Sequence, residues 1–81
     1  MNYSLEFLPE SKLELKETFQ WYERRQEGLG DDFTAEVENA LNRLLMSPMS
    51  PGIVFHEMRR MAVKRFPYGT YYLVRGELIW V

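Results

Sequence analysis

Residues 58–81, MRRMAVKRFPYGTYYLVRGELIWV, hold three extended runs separated by two turn signals. A stretch of this kind builds an antiparallel meander and little else. In residues 58–65, Met61 and Val63 fall on one face, and Arg60, Ala62 and Lys64 on the other. Phe66-Pro67-Tyr68-Gly69 is expected to interrupt the pairing, because Pro67 lacks a ladder donor and Gly69 permits unusual dihedrals. Residues 70–74 are β-branched and aromatic. Arg75-Gly76 is then expected to form a tight hairpin into residues 77–81. Such a meander needs a cover on one face, and the upstream chain is expected to supply it.

The upstream chain reads as one strand and two helices. Tyr3, Leu5 and Phe7 alternate with Ser4 and Glu6, a half-buried strand over residues 3–8 that Pro9 ends. Pro9 suits the first turn of a helix over about residues 9–27, with Glu10 complementing its dipole. Leu15, Phe19 and Tyr22 form its stripe, while Leu13 and Trp21 lie off it. Tyr22 is expected in the core. Gly28-Leu29-Gly30 ends this helix. Asp31-Asp32 opens a second one over about residues 31–46, where the two carboxylates are expected to cap it. Phe33, Val37, Ala40, Leu41, Leu44 and Leu45 make its stripe. A turn this short makes an antiparallel helical hairpin. Ser47-Pro48-Met49-Ser50-Pro51-Gly52 is a loop, and residues 53–57 lead into the sheet. The expectation is a single α+β domain over residues 1–81, ordered β-α-α-β-β-β, with the helical hairpin on one face of an antiparallel sheet. The meander strand that pairs with the first strand is not set by any of these patterns.

Composition narrows the chemistry. The chain has 81 residues, no cysteine and one histidine, His56. Disulfides, thiolate metal sites and the usual nucleophile–base dyads are therefore poorly served, and neither metal nor cofactor is expected. No apolar run approaches the ~20 residues of a membrane span, and no signal-peptide pattern opens the chain, so a cytoplasmic setting is expected. His56 opens a strand and reads as structural. Net charge is −2, which argues against general nucleic-acid binding. Its distribution is uneven, with Arg59, Arg60, Lys64, Arg65 and Arg75 following one another without an intervening acid. That local positive field marks either a partner surface or a solvated, edge-protecting strand face. With Tyr68, Tyr71 and Tyr72 beside them, the basic residues could hold phosphates and stack bases. The candidate target- or nucleic-acid-binding residues are Arg59, Arg60, Lys64, Arg65, Tyr68 and Tyr71.

The set Trp21-Tyr22-Glu23, Gly28-Leu29-Gly30-Asp31-Asp32-Phe33, Leu44-Leu45-Met46-Ser47-Pro48 and Arg65-Phe66-Pro67-Tyr68-Gly69-Thr70-Tyr71-Tyr72 spans nearly the whole chain. It resembles the RelE/ParE superfamily of type II toxin–antitoxin toxins, also called plasmid-stabilisation proteins. The resemblance implies the same β-α-α-β-β-β order and a growth-inhibiting toxin held by a cognate antitoxin. One branch of the family, RelE-like, cleaves mRNA on the ribosome. The other, ParE-like, inhibits DNA gyrase. The basic positions of the RelE-like pattern fall on Arg60, Ala62 and Gly69, and only the first is basic. The resemblance therefore points to the ParE-like branch, with a ribosome-dependent endoribonuclease, or an inactive fold that only binds antitoxin, as the alternatives. Family members usually continue past the last strand into a tail, whereas this chain stops at Val81. Residues 78–81 are accordingly expected to expose an apolar strand edge, through which the chain would form homo-oligomers unless a partner covers it.

Overall fold

The fold is described from a computed structural model covering residues 2–81. It is α+β, with two helices and one five-stranded sheet, in the order β1 (Ser4–Glu6), α1 (Pro9–Arg25), α2 (Leu29–Met46), β2 (Ile53–Phe55), β3 (Met58–Val63), β4 (Tyr68–Arg75) and β5 (Leu78–Trp80). The sheet order is β1-β5-β4-β3-β2.

The meander forms as its pattern requires. β3 pairs antiparallel with β4, and β4 with β5. The last hairpin closes on two residues, Gly76 and Glu77, between the paired Arg75 and Leu78. Gly76 has φ +59°, which only glycine adopts without strain. The β3–β4 connection is tighter than its sequence indicates. Tyr68 and Gly69 do not interrupt pairing but open β4, opposite Val63 and Ala62. The reversal is compressed into residues 64–67, with Arg65 at φ +71° and the Tyr68 amide donating to the Phe66 carbonyl at 2.8 Å.

Three further expectations are corrected. First, the sheet is mixed and has five strands, not four antiparallel ones. β1 runs parallel to β5, with Ser4, Leu5 and Glu6 beside Leu78, Ile79 and Trp80. Residues 53–55 form an additional strand on β3. Second, the C-terminal strand is not an edge. β5 lies between β1 and β4, the Leu8 amide donates to the Val81 carbonyl, and the Val81 amide donates to Glu6. Ile79 and Val81 are buried. The proposed oligomer through residues 78–81 therefore loses its surface. Third, Asp31 and Asp32 do not cap α2. Gly28 is the N-cap residue, and the Glu23 carboxylate accepts the Gly28 amide at 3.0 Å and the Gly30 amide at 2.9 Å. Both donors are orphans of the first turn, so an acid reaching back from α1 satisfies them as a cap side chain would.

The core follows the stripe of α2. Phe33, Val37, Ala40 and Leu44 are buried against Met61, Val63, Tyr72, Ile79 and Val81. α2 is the helix that lies on β3, and α1 packs along α2. No residue of α1 is fully buried. Its contribution is aromatic: Tyr22 meets Phe33 and Phe66 at ring-centre distances of 5.3 and 4.8 Å, and Phe33 meets Tyr68 edge-on at 5.1 Å. Trp21 stays half exposed, with the Arg25 guanidinium 4.1 Å over its ring.

Candidate functional site

The two-residue period of β3 divides its basic side chains between the faces of the sheet. Met61 and Val63 face the helices and are buried, while Arg60 and Ala62 are exposed on the other face. Arg59 shares the parity of Met61 and turns toward the loop that follows α2. Its Nη1 donates to the Met49 carbonyl at 3.0 Å and to the Pro51 carbonyl at 2.5 Å. Opposite Arg59 on β4 stands Tyr72, whose hydroxyl donates to the Pro48 carbonyl at 2.8 Å. A Pro-rich loop has carbonyls without partners of its own, and these two side chains supply donors to them. Burial pushes the Tyr72 hydroxyl above its ordinary pKa, and Arg59 partly opposes the shift. Arg59 is thus a fastening for residues 48–51 rather than a cation presented to a ligand.

The other candidates are also separated. Lys64 and Arg65 lie in the turn after β3, not on the strand. Arg65 reaches Glu36 on α2 at 3.4 Å, an exposed pair of small energetic weight. Arg75 pairs with Glu57 at 2.6 Å. Tyr68 points into the core side against Phe33. Its hydroxyl is pushed up to about 12, first by burial and then by the Glu14 carboxylate it faces. It is therefore not a free stacking platform. Tyr71 is half exposed and stands directly across from Arg60 on the outward face. Of the six sequence candidates, only Arg60 and Tyr71 are brought together.

Arg60 owes its position to what its neighbours lack. Ala62 and Gly69 pair beside it, and a side chain at Gly69 would overlap the Arg60 guanidinium. β2 pairs only with Met58 and Arg59, which leaves the edge of β3 open from Arg60 onward. Along that open edge runs a cleft of about 410 Å3 between β3 and the C-terminal half of α2, lined among others by Arg43, Ser47, Ser50, Arg60 and Ala62. Neither Arg43 nor Arg60 makes an ion pair among the described residues. Two guanidiniums and two hydroxyls can hold a phosphate or carboxylate oxygen. Among the described residues the lining offers no carboxylate or imidazole, so its chemistry is electrostatic.

Two participants escaped the sequence reading. Arg43 sits one position before Leu44 on the second helix, and its proximity to β3 follows only from how that helix lies on the sheet. Glu23 precedes Gly28-Leu29-Gly30 by five residues, a spacing that could have marked it as a cap from the preceding helix. His56, at φ +52° with its ring 4.1 Å from Phe55, occupies the turn between β2 and β3 and is exposed. Among the described residues, no group of three or more His, Cys, Asp or Glu could hold a metal ion, and no helix is long and apolar enough to cross a membrane.

No protein-family model, no curated protein and no solved structure matches the chain.

Proposed function

We propose that the chain is a toxin of the RelE/ParE kind, ParE-like in action, that binds a target such as DNA gyrase and is neutralised by a cognate antitoxin. The observation that carries the reading is where the cations go. Arg59 is engaged by loop carbonyls, Arg65 by Glu36 and Arg75 by Glu57, whereas Arg60 and Lys64 make no ion pair among the described residues, and Arg60, with Arg43 along the cleft and Tyr71 across on β4, forms an open basic patch. Such a patch suits docking onto an acidic surface, where charge sets orientation and encounter rate. Half-exposed Trp21 and exposed Leu13 on α1 offer apolar surface for an antitoxin to cover. The helical hairpin and meander expected from the resemblance are compatible with this reading.

A second reading has one observation in its favour. The Arg43–Arg60 cleft would also seat an RNA phosphate, as a ribosome-dependent endoribonuclease requires.

Pulse-labelling of DNA and protein synthesis after induced expression in bacteria lacking an antitoxin separates the two. DNA synthesis falling first, with inhibition of supercoiling by purified gyrase, supports the proposal. Arg60→Glu combined with Arg43→Glu should then weaken gyrase inhibition. Protein synthesis falling first, with cleaved mRNA, replaces the proposal by the second reading. If neither falls, the chain is a toxin fold that only binds antitoxin.

A further inference from the structure

The open edge of β3 runs beside the C-terminal half of α2, and both of its ends are closed. At one end β2 takes over the pairing, with Ile53 opposite Arg59, and the loop that Arg59 holds by the Met49 and Pro51 carbonyls covers the corner. At the other end Arg65 reaches Glu36 on α2. Between them lie Arg60, Met61, Ala62 and Val63, an edge of about 13 Å. Residues 61–63 pair with β4 alone, so alternate amides and carbonyls on their far side lack a backbone partner among the described residues. The groove beside them has an apolar floor of Ala40, Leu44 and Met61. Its cations gather toward the β2 end. Arg60 adjoins Arg59 there, and Arg43 lies one turn before Ser47, where α2 gives way to the fastened loop.

We infer that this groove binds the C-terminal segment of another polypeptide, added to β3 as an antiparallel strand with its α-carboxylate between Arg43 and Arg60. An open strand edge above an apolar floor pairs with extended backbone, which a small anion does not have. A strand entering from the Val63 side must stop at Arg60, because β2 already holds the edge from Arg59 on. Charge then sets the direction. An antiparallel strand brings its carboxyl terminus to two guanidiniums that make no ion pair among the described residues, whereas a parallel strand would bring an ammonium group to them. The Ser47 and Ser50 hydroxyls add donors at the same end, and the apolar floor favours an apolar residue near the terminus. The inference rests on the reading of this cleft as the docking site of an anionic partner, but not on toxicity.

A phage library of random heptapeptides with free carboxyl termini supplies the probe, and its strongest binder is then made both as the acid and as the C-terminal amide. Fluorescence anisotropy with the purified chain should show the acid binding roughly tenfold or more tighter than the amide. Arg43→Gln or Arg60→Gln, shown to be folded by circular dichroism, should shrink that ratio while the amide binds as before. N-methylation of the peptide backbone, one position at a time, should weaken binding at every second residue, as a strand ladder requires. A library that enriches no binder overturns the inference. So does a binder whose acid and amide bind alike, or one whose N-methyl scan shows no alternation, which would leave the cleft to acidic side chains or phosphates. Binding is read on purified protein, so a chain that prefers the acid but inhibits no growth refutes the toxin reading and keeps this one, and an inhibitory chain without that preference does the reverse.

Discussion

Removing the Glu23 carboxylate tests the account of how the two helices are joined. Glu23→Ala deletes both acceptors of the Gly28 and Gly30 amides, at 3.0 and 2.9 Å. Hydrogen bonds to a charged group are each worth ~1.5–3 kcal/mol when well buried, and loss of an N-cap side chain costs ~0.5–2 kcal/mol. The Glu23 carboxylate is only partly buried and water can reach the freed Gly28 amide, so the loss falls below the ~3–6 kcal/mol of two buried charged hydrogen bonds, at the upper end of the cap range. The expected loss is about 2 kcal/mol, a large share of the ~4–12 kcal/mol expected for a domain of this size. With a urea slope near ~1 kcal/mol/M, the unfolding midpoint should fall by about 2 M. Glu23→Gln refines the test. Its single carbonyl oxygen can accept one amide, and its NH2 group would face the other donor to donor, so it should lose about half as much. Equilibrium urea unfolding followed by circular dichroism reads all three proteins. If Glu23→Ala lies within ~0.5 kcal/mol of the parent, or if Glu23→Gln is as damaging as Glu23→Ala, the two-amide cap is not what stabilises the turn.

The remaining predictions share that assay or a simple titration. Gly30→Ala should destabilise by about 1–2 kcal/mol despite the ~1 kcal/mol helix preference of alanine, because the new Cβ would stand 2.9 Å from the Phe19 carbonyl, which cannot swing away; Gly52→Ala, in open space, should be nearly neutral, and equal effects at the two sites would refute the crowding argument. Tyr72→Phe should cost about 1–2 kcal/mol by leaving the Pro48 carbonyl unpaired in a buried site, and an unchanged urea midpoint would mean that the loop is held by Arg59 alone. Tyr68 titrates near 12 against an ordinary value of 10.0, so its neutral form is favoured in the folded state. The corresponding stability is fully present below pH 10 and is lost as pH rises toward 12. Phenolate absorbance should show two late-titrating tyrosines, Tyr68 and Tyr72, of which one is lost in Tyr68→Phe, and alkaline destabilisation should be smaller in that variant.

Local pattern was enough for much of this molecule. The period of Phe33, Val37, Ala40 and Leu44 specifies a helix and the face it buries, and all four are in the core. The alternation of Met61 and Val63 with Arg60 and Ala62 specifies a strand and its two faces. Gly76 marks a hairpin because its positive φ is a property of one residue. Each of these depends on neighbours a few positions away, where sequence spacing is spatial spacing.

What the sequence could not settle involves residues that meet only after the chain has folded back. Residues 3–8 read as a strand, but whether they pair parallel or antiparallel, and with which partner, depends on where the helical hairpin returns the chain. That return sets β1 beside β5 and turns the expected C-terminal edge into an interior strand. The same closure leaves β1 and β2 as the two edges of the sheet, with the side chains of β2 exposed. The basic cluster is one run in sequence, yet its members have different fates. Alternation sends Arg59 toward the loop carbonyls and Arg60 outward, and the turn carries Arg65 to Glu36. Arg43, on α2, supplies the cation that joins Arg60 across the cleft. Charge is written residue by residue, but whether a charge is free or engaged is decided by partners distant in sequence, and only packing brings them within hydrogen-bond reach.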